Sequence, residues 1–180
     1  MSDNPHGTTL HGVFVEVAGL GVLLSGPSGV GKSELALELL TRGHHLIADD
    51  APELQRSDGR IIGRCPPLLH GFLEARSLGI LNIREMFGEQ ALLQQHTLDL
   101  VIRLEFRHER QRDAQERLEG RRSVCQILGV DLPEISMPIR LGHNLAVLVE
   151  AACRDQVLRL RGYRADEDLA ARQLKAIRGQ

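Results

Sequence analysis

One octapeptide constrains this chain more than anything else in it. Gly26-Pro27-Ser28-Gly29-Val30-Gly31-Lys32-Ser33 fits G-x-x-x-x-G-K-[ST], the glycine-rich loop whose backbone amides cradle phosphates. Its flanks suit that use. Gly21 to Ser25 is a short apolar run that reads as a buried strand. Lys32 to Arg42 is rich in helix formers and is stopped by Gly43. A strand, a glycine loop and a helix start aim several N–H groups at one anion.

The basic residues sharpen the reading. The chain has 20 arginines but only two lysines, Lys32 and Lys175. One of the two stands in the loop, where a compact ammonium reaches between phosphates without the planar fork of a guanidinium. The rest of the composition is that of a globular protein. At 180 residues, 42% hydrophobic and 26% charged, it suffices for one domain with a substantial core. Aromatic residues make up 3% and Trp is absent, so the core must be built from Leu, Ile, Val and Ala. A net charge of −2 speaks against bulk nucleic-acid binding. Cys65, Cys125 and Cys153 are far apart and odd in number, which implies reduced thiols instead of a disulfide framework. No apolar run approaches a membrane span and the N-terminus lacks a signal-peptide pattern. The expectation is a cytoplasmic protein that engages neither membrane nor nucleic acid.

Along the chain, residues 1–9 are polar and are expected to be flexible. His11 to Val17 suits a strand, as does His44 to Ala48, which ends on Asp49-Asp50. Ala51 to Gly63 reads as a hairpin turning at Ser57-Asp58-Gly59. Cys65-Pro66-Pro67 breaks the chain, and Glu74 to Ile83 reads as a loop entering a short strand. Thr97 to Phe106 alternates as a core strand, and the charged segment Arg107 to Arg122 reads as a solvated helix or excursion. Ser123 to Gly129 adds a strand, Pro133 to Asn144 a strand and loop. Leu145 to Arg161 and Asp166 to Ile177 are expected helices. The sum is an α/β fold, a P-loop kinase-like domain with a mixed β-sheet, hairpins and C-terminal helices. It is expected to form one catalytic domain over residues 10–180.

Phosphoryl transfer needs the phosphates held, a metal placed and a nucleophile oriented. Lys32 would neutralise β- and γ-phosphate charge, and the Ser33 hydroxyl would ligate Mg²⁺. Asp49 and Asp50 close a strand one helix beyond the loop, where acids reach the metal or the attacking group. Adjacent residues on a strand end face different sides, so their roles should differ. One suits a metal-associated position and the second a general base. Read alone, Glu74 is a surface glutamate and His11 a structural histidine.

Taken together, these pieces resemble the catalytic domain of the HPr kinase/phosphorylase family. The residues that carry the resemblance are His11-Gly-Val13, Gly26 to Glu34, Leu46-Ile-Ala-Asp-Asp50, Leu73 to Asn82, Arg117-Leu118 and Pro138 to Asn144. They lie in family order across roughly residues 10–165. The resemblance implies a bacterial ATP- and Mg²⁺-dependent kinase that phosphorylates a serine of the phosphocarrier HPr and reverses the reaction with phosphate. It implies that Lys32 binds phosphates and that Ser33 with Glu74 holds Mg²⁺. Asp50 would be general base forward and general acid in reverse. His11 and Arg117 would complete the active site, Arg76 to Asn82 would support catalysis, and Arg140 would serve dephosphorylation. It further implies a hexamer and a place in regulating carbon metabolism. The chain departs from the family pattern at Pro27, at Ser77, at the extra residue in Arg117-Leu-Glu-Gly120 and at His143. With only ten residues before His11, it reads as a short form without the family's separate N-terminal domain.

Two other readings stand beside this one. A P-loop kinase for another acceptor, such as a metabolite, would show a deep pocket where a protein kinase needs an open rim. A non-catalytic nucleotide-sensing regulator would bind nucleotide without phosphotransfer and ignore Asp50→Asn.

Overall fold

The computed structural model describes residues 7–106, 120–139 and 142–178. Nine of the described strands form one mixed sheet, and β9 (Gln95–Phe106) is its spine. Twelve residues long, β9 has more edge than any one neighbour covers. On one side it runs parallel to β3 (Leu20–Ser25), which pairs antiparallel with β2 (Val13–Val17), itself antiparallel to β4 (His45–Ala48). Its other side is divided. The first residues pair antiparallel with β6 (Arg60–Arg64), and the last six pair parallel with β11 (Val130–Ile139). β5 (Glu53–Ser57) extends the sheet beyond β6, and β10 (Arg122–Ile127) extends it beyond β11. The expected hairpin over 51–63 is therefore present, with Asp58 at φ 49° and Gly59 at φ 75° in its turn.

A bulge lets β9 serve both faces. Gly21 pairs with Leu98 but Val22 pairs with Leu100, so Asp99 is the extra residue. Its carboxylate accepts the Gly21 amide at 2.8 Å. Leu98 consequently joins the cluster on one face, whereas Leu100, Ile102 and Leu104 join the cluster on the other. Two helices cover that second face. α1 (Lys32–Thr41) contributes Leu35, Ala36, Leu39 and Leu40; α3 (Leu145–Leu160) contributes Ala146, Val149 and Cys153. The first face packs under β5, β6 and β11 around Phe14, the one aromatic among the buried apolar residues. Gly63 makes room for it: a Cβ there would fall 2.4 Å from the Phe14 ring. The expected Leu/Ile/Val/Ala core is what fills both layers. Burial pushes the Cys65 thiol up to about 11 and the Cys153 thiol up to about 12, so both pack as small apolar groups.

Several local expectations are corrected. Residues 7–9 do not fray: Gly7–Thr9 form β1, an edge strand on Glu53–Gln55 of β5. Three residues are too few for alternation to reveal. Glu74 lies not in a loop but in β7 (Phe72–Ala75), hairpinned to β8 (Gly79–Asn82) as a separate two-stranded sheet. Leu73 and Ala75 face the core while Phe72 and Glu74 face out. α2 (Ile83–Phe87) follows, capped by the Asn82 side chain, which accepts the Glu85 amide. β10 and β11 prove to be one hairpin through Leu128-Gly129, carrying Pro133 and Pro138 within β11. α4 (Ala165–Ile177) closes the described chain with none of its residues buried. Most of the expected 107–122 segment, with Arg117, lies outside the described residues, as does Arg140. No described helix is long and apolar enough to cross a membrane.

Candidate active site

The sheet delivers its functional residues to one edge. β3 and β9 run parallel, so their C-terminal ends emerge together, and the β3 end passes directly into the glycine loop and α1. β2 and β4 run antiparallel to β3 and to each other, respectively. The start of β2 and the end of β4 thereby reach the same edge. There a cleft of about 280 Å³ is lined by Ser28, Gly29 and Gly31 to Glu34 of the loop and helix start, by His11 and Val13, by Asp49 and Asp50, and by Glu74 and Arg76. Of the described residues expected to bind nucleotide or metal or to act in catalysis, Gly26, Pro27 and Val30 do not line that wall, though they belong to the same loop, and of the supporting stretch Arg76 to Asn82 only Arg76 lines it.

Lys32, the first residue of α1, is only 8% exposed. Its ammonium folds back on the loop and donates to the carbonyls of Gly26 and Pro27, both at 3.0 Å. Pro27 lacks an amide for an anion, yet its carbonyl helps hold the lysine beneath the nest. The Val30 amide donates to the same carbonyl at 3.3 Å, which closes the loop on itself. The α1 N-terminus adds its unpaired amides and the positive end of its dipole.

The two aspartates differ as adjacent strand-end residues should. Asp49 is half-buried. Its Oδ2 accepts the Glu74 amide at 2.7 Å, and its Oδ1 takes a long contact from the Ser33 hydroxyl at 3.4 Å. Burial pushes its carboxyl above the ordinary range; the Glu74 amide opposes this, the neighbouring Asp50 charge adds to it, and the Ser33 hydroxyl opposes it. Asp49 thus joins three elements: the α1 start, the β4 end and the β7 strand. Asp50 points the other way. Its side chain is 68% exposed and meets His11 Nδ1 at 2.7 Å, with His11 59% exposed. Asp50 sits at φ 63°, a left-handed conformation that an Asp tolerates better than a branched residue. The Gly12 amide donates to its carbonyl at 3.3 Å and the Ala51 amide to that of Asp49 at 2.8 Å, which holds the kink. The kink is what turns two neighbouring carboxylates to two different tasks.

Glu74 reaches the cleft because β7 alternates, and Asp49 fixes its backbone. Ser33, Asp49 and Glu74 form a set of hard oxygen donors beside a phosphate nest, the donor chemistry that suits Mg²⁺ when phosphate oxygens and water complete its shell. Sequence reasoning placed Ser33 in that set from the P-loop motif and Glu74 from resemblance; the Asp49 bridge between them is what it missed. The apolar run ending in two acids was its only trace in the sequence.

Comparison with known proteins identifies the family. The model of the HPr Serine kinase C-terminal domain matches residues 5–173. An HPr kinase/phosphorylase of Chromobacterium violaceum is 47% identical over 174 residues, covering 96% of this chain and 55% of that protein. One from Azoarcus sp. is 48% identical over 172 residues, covering 95% and 55%. The solved structure of the Hpr(Ser) kinase/phosphatase from Coxiella burnetii matches with a TM-score of 0.80 at 33% identity, over 90% of this chain and 98% of that one. The chain spans 55% of the length of these two curated relatives. The chain belongs to the HPr serine kinase C-terminal domain family.

Proposed function

From that membership we propose that this chain is an ATP- and Mg²⁺-dependent serine kinase acting on the phosphocarrier HPr, with phosphate-driven removal of the same group as its reverse. One observation carries the reading: a buried P-loop lysine and a solvent-facing Asp50–His11 pair share a single cleft. A buried lysine suits phosphates; an exposed carboxylate suits a hydroxyl arriving on another protein. The openness of Asp50 and His11 favours a protein acceptor over a metabolite sealed in a deep pocket.

In this account the amides of Ser28 to Ser33 and the Lys32 ammonium bind the polyphosphate. Ser33 and Glu74, tied together through Asp49, would hold the metal. Mg²⁺, when bound, neutralises charge on the β- and γ-phosphate oxygens. The acceptor serine gives its hydroxyl proton to Asp50 as its oxygen bonds to the γ-phosphorus. The bond from that phosphorus to the β,γ-bridging oxygen breaks, and ADP leaves. His11 Nδ1 keeps the Asp50 carboxylate in one orientation. In the phosphate-driven direction an oxygen of inorganic phosphate bonds to the phosphoserine phosphorus, the bond from that phosphorus to the serine oxygen breaks, Asp50 gives the proton to the serine oxygen, and pyrophosphate leaves. Arg117 is assigned to the developing phosphoryl charge on resemblance alone. We further propose that residues 10–180 act as one catalytic unit, that copies assemble as a hexamer and that the chain works in the cytoplasm.

The test is incubation with purified HPr, ATP and Mg²⁺ and location of the product by mass spectrometry. One phosphoserine on HPr is expected, absent with Lys32→Ala. Nucleotide binding without any phosphorylated HPr would overturn the reading in favour of a nucleotide sensor or another acceptor.

A further inference from the structure

The cleft holds a second cation, and its surroundings are unusual. Arg76 follows β7 in the turn toward β8 and lines the same wall as Ser28, Lys32 and Glu74. Its guanidinium lies directly on the loop at Gly29. A Cβ there would come within 2.7 Å of Nη1 and 3.1 Å of both Cζ and Nη2. Gly29 also sits at φ +77°, so its bareness serves both the loop's turn and the arginine's approach. Arg76 has no hydrogen bond or ion pair among the described residues, although Glu34, Asp49, Asp50 and Glu74 line the same cleft. Several other arginines among the described residues are matched, Arg42 with Glu38 and Glu150, Arg103 with Glu134 and Arg172 with Asp168, but none of these lines the cleft. Lys32 is matched too, by two loop carbonyls.

An unmatched planar fork at the lip of an anion nest fits phosphate oxygens two at a time. We infer that Arg76 contacts the terminal phosphoryl group of a nucleoside triphosphate, closing over it from the β7–β8 hairpin while Lys32 holds it from below. The inference rests on the proposed function in taking that group as the one transferred. During transfer the bond between the γ-phosphorus and the bridging oxygen breaks and a bond to the acceptor oxygen forms, with the acceptor proton going to Asp50. Charge spreads over the three non-bridging oxygens as this happens, and a cation fixed beside them lowers the barrier. The hairpin thereby carries a cation for the phosphoryl group next to Glu74, the carboxylate assigned to the metal.

Titration of ATP and ADP separately against the unmodified chain, Arg76→Ala and Arg76→Lys decides it, alongside turnover with HPr. Arg76→Ala is expected to weaken ATP about tenfold while leaving ADP within about threefold, because ADP lacks the contacted group. Turnover should fall about 100- to 1,000-fold, with partial recovery on adding free guanidinium. Arg76→Lys should restore ATP affinity more than turnover, since an ammonium lacks the fork. Equal weakening of ATP and ADP, or turnover within about twofold of the unmodified chain, would overturn the inference. If the unmodified chain makes no phosphoserine on HPr, the kinase reading falls. The ATP-over-ADP preference then decides Arg76 by itself, and a preference unchanged in Arg76→Ala overturns it.

Discussion

The two ends of β2 and β4 carry acids of opposite character. At the end away from the cleft, Glu16 meets the Gly19 amide and His45, and Glu150 meets His44 at 2.8 Å and Arg42 at 3.3 Å. These contacts tie β2, β4, the end of α1 and α3 together. The hydrogen bond from His44 holds the Glu150 carboxyl below its ordinary range; burial opposes this, and the Arg42 charge adds to it. At the cleft end, burial raises Asp49, and among the described residues the Asp50 side chain keeps only His11. An acid whose charge is favoured in the fold contributes stability; an acid whose charge is disfavoured waits for a cation. The same sheet is thus fastened at one edge and left electrostatically incomplete at the other.

Substitutions should separate the two ends. The largest effect belongs to Lys32→Ala. Removing the buried ammonium should cut phosphotransfer by a factor of about 1,000 or more, read as turnover with saturating HPr. Asp50→Asn comes next, with turnover lower by about 100- to 10,000-fold. Because Asp50 faces the acceptor and not the nest, ATP affinity measured by titration should stay within about threefold.

Asp49→Asn should lower Mg²⁺ affinity about 10- to 100-fold through loss of its bridging charge. It should also leave the ligand-free protein at least as stable. The folded carboxyl titrates above the unfolded one, so its stability contribution is full below the unfolded value, near 3.8, and is lost as pH rises through the folded value. The thermal midpoint of Asp49→Asn relative to the unmodified chain should therefore be highest at neutral pH and fall on acidification. Glu150→Gln gives the smallest functional effect and the opposite pH trend. It should cost about 1–2 kcal/mol at neutral pH. That cost should vanish as pH falls below the ordinary carboxylate value, near 4.5, and through the lower folded one, while turnover stays within about twofold.

The part of this contrast legible in the sequence was the local part. The P-loop, α1 and β9 are announced by spacing and by runs of apolar residues, and the Asp49-Asp50 pair by its place at a strand end. What stayed hidden depends on contacts distant in sequence. Glu74 lies in a four-residue strand whose alternation is too short to distinguish from a loop, and only the pairing with β8 makes it a strand. The Asp49–Ser33 and Asp49–Glu74 contacts join residues 16 and 25 positions apart. The division of β9 between β6 and β11 leaves no mark in β9 itself, beyond its length. Arg76 stood inside a stretch already associated with catalysis by resemblance, but its approach to Gly29 is a product of the hairpin's position.

The most direct measurement takes Asp50→Asn and Glu150→Gln side by side, reading the thermal midpoint and the rate of phosphoserine formation on HPr from the same preparations. The account predicts a crossed result: Asp50→Asn keeps its midpoint and loses the reaction, whereas Glu150→Gln loses midpoint and keeps the reaction. Rates and midpoints falling together in both variants, or an Asp50→Asn chain that phosphorylates HPr at the unmodified rate, would contradict it.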